Sequence, residues 1–153
     1  MARIPLFYRL ILLWFEPISS GFGCYMNLFD KDMYLNSFIP PALATRDPTH
    51  NLLFNQLGAG FFVVATTQGV LLRYTNDVNV WKMLNGCLLG WDFILLWSLW
   101  DGLSAQGRLD PSVWRADDLS AIVPTIFMTF VRAAVVAGVG LEGAKANTEK
   151  LKD

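Results

Sequence analysis

Four apolar stretches of about twenty residues each take up more than half of this 153-residue chain, and polar loops separate them. That is the length needed to cross the hydrocarbon core of a bilayer. Inside hydrocarbon the backbone must satisfy its own N–H and C=O groups, which leaves helices or closed barrels. The pattern predicts an all-α, integral membrane four-helix bundle. Its spans run from near Pro5 to Leu28, Leu52 to Leu72, Val80 to Trp100 and Leu119 to Leu141. A mean hydropathy of +0.38 and 16% charged residues fit that class. Nothing separates a second domain, so residues 1–153 read as one, ending in a charged tail over 143–153. The apolar start continues through Glu16-Pro17 with no small-residue cleavage site, which predicts an uncleaved first span.

Four spans put both termini and the 73–79 hairpin on one side. That side carries Arg3, Arg9, Arg73, Lys82, Lys145, Lys150 and Lys152. The other carries Lys31, Arg46, Arg108 and Arg115. The positive-inside bias therefore predicts cytosolic termini. Residues 29–51 read as a long loop with turn signals at Pro40-Pro41 and Arg46-Asp47-Pro48.

Three ionisable residues interrupt the apolar stretches: Glu16, Asp92 and Arg132. A charge in hydrocarbon costs at least ~2.5–3.5 kcal/mol, so such residues face a bundle interior or a cavity. Helical spacing extends each into a stripe. Arg9, Glu16, Ser20, Gly23 and Asn27 align in the first span, and Gln56, Gly60 and Thr67 in the second. Trp81, Asn85 and Asp92 align in the third, and Thr125, Thr129, Arg132 and Gly140 in the fourth. These four faces are expected to meet.

Glu16 and Asp92 should lie at similar depth, with Arg132 able to pair with one of them. One carboxyl would then stay ionised and the other protonated, the usual basis for an acid and a base in one site. Two readings stay open: an acid–base pair with Arg132 as counter-ion, or an internal ion pair that fixes helix register. The candidate substrate contacts are Asn85, Gln56, Trp91, Trp81 and Tyr8. Asn85 and Gln56 could equally be interhelical hydrogen-bond partners, and Trp81 an interface anchor. Pro17 should kink the first helix and free a backbone carbonyl.

One histidine, His50, and two dispersed cysteines, Cys24 and Cys87, cannot build a closed metal site. The cysteines read as free thiols. No metal or cofactor is expected. A net charge of −1 gives no reason to expect a nucleic-acid partner. The expected partners are the bilayer, a lipophilic small molecule, and a second copy of the chain or a partner membrane enzyme.

Several segments resemble a family of small fungal membrane proteins, DUF7704. They are Glu16-Pro17, Gln56-Leu57-Gly58, the stretch Asp77 to Trp81, Asp92, and Val131-Arg132 followed by Gly138-Val139-Gly140. The family pattern often carries a His shortly after the third-span Asp; here Ile94 and Leu95 stand in that region. The resemblance implies four spans and a fungal origin, not an activity. The layout is also similar, at the level of architecture alone, to emopamil-binding-type sterol isomerases and compact membrane terpene cyclases. The functional expectation is a cofactor-independent cyclase or isomerase of fungal natural-product biosynthesis, acting on a terpenoid, meroterpenoid or sterol-like compound in the endoplasmic reticulum membrane. Its rivals are a lipid-binding scaffold and a proton-coupled oligomeric pore.

Overall fold

The computed structural model describes residues 4–141, and these are helical with no strand among them. The tail expected over 143–153 lies outside the described residues, as do Arg3, Lys145, Lys150 and Lys152.

Leu6 to Phe29 is helical without a break, in three parts. These are α1 (Leu6–Leu10), a π-helical turn (Ile11–Phe15) and α2 (Glu16–Phe29). The irregular turn has a sequence cause. Pro17 lacks an N–H and its ring crowds the carbonyl four residues back, that of Leu13. Arg73 supplies the missing donor: its Nη2 donates to the Leu13 carbonyl at 2.9 Å. Its guanidinium also lies over the Trp14 ring, 4.2 Å from the centroid.

The segment read as a loop over 29–51 contains a further helix, α3 (Lys31–Phe38). The Asp30 carboxylate caps it by accepting from the Met33 N–H at 3.1 Å. It stops where Ile39 turns extended, the conformation a residue before proline is forced toward. After a 3-10 turn at Pro48–His50 comes α4 (Asn51–Gly69). The turn Leu71–Arg73 leads to α5 (Val78–Ala105), capped by the Asp77 carboxylate on the Asn79 N–H at 2.8 Å. α5 continues past Trp100, the expected end of the third span, so Asp101 lies within the helix. After the turn Pro111–Val113 comes α6 (Ala116–Ala137), which ends on Gly138 at φ +82°.

α2 packs along α4 and α5 along α6, while α3 bridges from α2 to α6. One end of the bundle is solid. Ile4, Tyr8, Leu12, Leu72, Trp81, Val135 and Leu141 form one apolar core there. The Tyr8 hydroxyl donates to the Val139 carbonyl at 2.9 Å, which ties the chain's start to its end. The first and last described residues, Ile4 and Leu141, thus share one end with Leu72 of the Leu71–Arg73 turn. Beyond that core the interior is polar: Asn27, Gln68 and Asn85 are fully buried. The outer surface is apolar, with Phe62, Met83, Phe93, Ile94, Trp97 and Phe130 all exposed.

Two helices, Val78–Ala105 and Ala116–Ala137, are long and apolar enough to cross a membrane. Only 11% of the most apolar stretch of Val78–Ala105 is buried, unlike the core helix of a soluble protein.

The Pro17–Arg73 relation can be measured by a double-mutant cycle. Arg73→Ala leaves the Leu13 carbonyl without its donor and should cost about 1–3 kcal/mol. In a Pro17→Ala background residue 17 regains an N–H for that carbonyl. The same Arg73 change should then cost at least about 0.5 kcal/mol less, read from denaturant unfolding in detergent. Additive losses would show that Arg73 does not serve this carbonyl.

Candidate functional site

The three interior charges meet. Glu16 opens α2, Asp92 is midway along α5, and Arg132 is in the last third of α6. Arg132 Nη2 is paired with Glu16 Oε1, and Arg132 Nη1 lies against Asp92 Oδ1. The contact to Glu16 is an aligned hydrogen bond. That to Asp92 is close but lacks hydrogen-bond alignment, which leaves Nη1 without a bonded partner. All three side chains are at least 95% buried. Glu16 Oε2, Asp92 Oδ2 and Arg132 Nε have no hydrogen-bond partner in the protein. Unpaired atoms of this kind are rare in a buried setting and mark a ligand, water or strain.

Glu16, Asp92 and Arg132 line a cavity of about 700 Å³. The triad lies at its floor, against the solid end of the bundle. Lining residues reach from Arg132 to Asp118 on α6. Fourteen residues of helix make that distance about 20 Å. The walls are mostly apolar, among them Phe61, Trp91, Leu95 and Met128, and α3 contributes Tyr34 and Phe38. Burial, partly countered by the nearby Asn27 side chain, pushes the Tyr34 phenol up to about 12. It is therefore a neutral hydrogen-bonding group at any physiological pH.

Two glycines set the shape of the cavity wall. A Cβ on Gly60 would stand 2.9 Å from the tip of the Trp91 ring, so the indole has its place only because residue 60 has no side chain. A Cβ on Gly23 would be 3.2 Å from the Phe61 ring.

A second polar cluster closes the far end. Asp118, only 4% exposed, is paired with both Arg108 and Arg115. Its carboxylate also accepts the Arg115 backbone N–H at 2.7 Å, the first-turn acid of α6. Arg115 Nη1 donates to the Asn36 carbonyl at 3.1 Å, and Gln106 Nε2 to that of Phe38 at 3.3 Å. Both bonds hold the C-terminal turn of α3 over the cavity. A helix leaves its last four carbonyls without internal donors, and these side chains fill part of that need.

Among the sequence-predicted contacts, Trp91 lines the cavity with Glu16, Asp92 and Arg132. The other four do not. Tyr8 is buried in the solid end, and Trp81 Nε1 donates to the Thr75 carbonyl at 3.0 Å. Asn85 Nδ2 donates to the Trp81 carbonyl at 2.8 Å, and its Oδ1 accepts from Gln68 at 3.5 Å. Gln56 is exposed. The buried face of α4 carries Gly58, Val64 and Gln68 instead, because polar residues stand on several faces of that helix and leave no single stripe to read. Sequence reasoning missed Asp118, Arg108, Tyr34 and Gln68. Only Arg115-x-x-Asp118, an acid in the first turn of a helix, carried a usable signal. His50 is exposed, and Cys24 and Cys87 are free thiols.

Arg132→Met would leave two carboxyls buried with no cation and should destabilise the protein by about 3–5 kcal/mol at neutral pH. Adding Glu16→Gln and Asp92→Asn to the same chain should restore most of that loss in denaturant unfolding. Wild-type stability in Arg132→Met alone would mean that the guanidinium does not hold the two carboxyls together.

No curated protein and no solved structure matches this chain. The model of one family, described as Domain of unknown function (DUF7704), matches residues 1–142. The motifs at Glu16-Pro17, Asp77–Trp81, Asp92 and Val131-Arg132 fall within that match, and the chain belongs to this family.

Proposed function

We propose that the protein is a four-span membrane enzyme, a cofactor-independent cyclase or isomerase for a lipophilic substrate of terpenoid, meroterpenoid or sterol-like type. One observation carries this reading: two carboxyls share one guanidinium at the floor of an apolar cavity, and each keeps an oxygen without a partner. The membrane part is supported by large apolar side chains exposed along the helices, such as Phe62, Met83, Phe93, Trp97 and Phe130, while Glu16, Asn27, Asn85, Asp92 and Arg132 are buried, a placement unusual for a soluble bundle. Leu6–Phe29 adds a continuous helical run of about 36 Å, and α4, with 19 residues, one of about 28 Å. Both approach or exceed the ~30 Å of hydrocarbon to be crossed.

The chemistry follows from charge balance. One guanidinium neutralises one carboxylate. A second buried carboxylate would be an uncompensated charge, and in a low-dielectric site such a group neutralises itself with a proton. The triad then holds one acid and one base. The acid protonates an alkene or epoxide of a substrate lying in the cavity, and its carboxylate is left paired with Arg132. The cation forms beside the Trp91 ring, whose π face attracts positive charge. The base removes a proton from a neighbouring carbon, an alkene forms, and product and substrate have the same formula. Arg132 touches both carboxyls, so either protonation state keeps one ion pair intact. A cavity of about 700 Å³ lies within the ~300–1,000 Å³ usual for small-molecule sites.

The second reading is a lipid-binding or scaffold protein that uses the same cavity without turnover. The unpaired oxygens would there accept from a ligand hydroxyl or amine. A pore through one chain is disfavoured by the plug of Leu12, Trp81 and Val135, each at most 1% exposed.

Purified protein incubated with a panel of prenylated and epoxidised compounds, followed by mass spectrometry, should yield products isomeric with a substrate. Asp92→Asn and Glu16→Gln should each cut turnover by about 10²–10⁴-fold and leave the protein folded. Full activity in both variants would overturn the acid–base mechanism. A retained lipid with no turnover on any substrate would favour the second reading.

A further inference from the structure

A second pocket, of about 300 Å³, lies on the outer surface beside the solid end of the bundle. Its walls are Leu6, Arg9, Leu10, Leu13, Trp14 and Arg73. Both arginines are exposed, and neither is paired with a carboxylate among the described residues. Arg73 is held in place by the Leu13 carbonyl at 2.9 Å and the Trp14 ring at 4.2 Å. That hold uses Nη2 and one face of the guanidinium, and no hydrogen bond engages Nη1 or Nε. Past Arg9, toward the middle of the helix, the same face is apolar: Leu10 is 52% exposed and Trp14 55%.

We propose that this pocket binds one anionic phospholipid, its phosphate between Arg9 and Arg73 and an acyl chain along Leu10 and Trp14. Charge complementarity commits the site to an anion. A fixed guanidinium loses little entropy on taking up a phosphate and offers parallel donors to its oxygens. The apolar face commits it to a lipid rather than a free phosphate. The pocket lies at the end shared by Ile4, Leu72 and Leu141, where the lysine–arginine bias puts the cytosolic leaflet. That leaflet carries the anionic lipids. Pro17 thereby acquires a second consequence. By freeing the Leu13 carbonyl it fixes Arg73 at the rim of a lipid site. The inference rests on the membrane part of the proposed function and is independent of any catalysis.

The test reconstitutes the full chain into nanodiscs that contain both phosphatidylserine and phosphatidylcholine. Native mass spectrometry then counts the lipids retained on release. The expected result is one phosphatidylserine kept in preference to phosphatidylcholine. Each charge should contribute about five-fold, so Arg9→Gln should reduce the preference about that much and Arg9→Lys should largely restore it. Among the described residues Arg9 makes no hydrogen bond through its side chain, so its loss should leave the fold intact, and an unchanged thermal melt of Arg9→Gln checks that point. Equal retention of the two lipids, or an undiminished preference in Arg9→Gln, would overturn the site. Inorganic phosphate raising the melting temperature as much as phosphatidylserine does would overturn the lipid assignment. A chain released from membranes by alkaline carbonate would overturn the membrane reading itself, a failure distinct from the others.

Discussion

Arg132 holds the structure to a single arrangement. Its guanidinium comes from α6 and touches Glu16 of α2 and Asp92 of α5. It therefore joins the two halves of the bundle, the α2–α4 pair and the α5–α6 pair. Rotating any of these three helices by one residue, about 100°, would remove a charged group from the contact. In an apolar setting the displaced charge would have nowhere favourable to go. Apolar packing alone tolerates such slips far better, because one leucine replaces another at modest cost. Register here is set by charge, and the apolar residues fill in around it.

The position of the triad divides the molecule. On one side Leu12, Trp81 and Val135 pack without space. On the other lies the cavity, lined by residues of α2, α4, α5 and α6, with α3 laid across it. That helix buries none of its residues fully, and its apolar hold on α4 is the Tyr34 ring against Phe54 and Phe61. What fastens its C-terminal turn is polar: Arg115 and Gln106 donate to its last carbonyls, and Asp118 orients Arg115. An element held by a few directional bonds at its end, with little buried area, is the kind that opens locally before the rest of a fold does. The cavity therefore has a rigid floor and a cover that can loosen by breaking those few bonds.

The legible part of this architecture was the part governed by helical period. Glu16, Ser20, Gly23 and Asn27 recur at helical spacing, and all four are buried on α2. Trp81, Asn85 and Asp92 are buried on α5 in the same way. Arg132 followed because a lone cation in an apolar run has few places to be. α4 was misread because Asn55, Gln56, Thr66, Thr67 and Gln68 stand on several faces. Its buried face was chosen by packing, with Gly58 against Asn27 and Leu28 and Gly69 against Pro17. The helix within the first loop gave little period to read over eight residues. The Asp118 cluster depends on Arg108, Gln106 and the α3 carbonyls, contacts between segments that no local pattern encodes. That Pro17 frees a backbone carbonyl was legible, but the donor to it was not: Arg73 reaches the Leu13 carbonyl across 60 positions of sequence.

Whether the triad serves only register or also chemistry turns on what its unused atoms do. A purely structural ion pair is most stable when each carboxylate oxygen and each guanidinium N–H has a partner, because an unmet buried polar atom costs about 1–3 kcal/mol. Here Glu16 Oε2, Asp92 Oδ2 and Arg132 Nε are all unmet, and Glu16, Asp92 and Arg132 all face the same cavity. A register device would gain nothing from a cavity at that spot, since an apolar side chain filling it would pack the helices more firmly. Cavity and unmet atoms together suit a guest that brings apolar bulk and supplies or accepts a hydrogen bond at the floor. The bundle thus keeps three buried ionisable groups beside a cavity of about 700 Å³, which is the arrangement expected if stability has been given up for binding at that point.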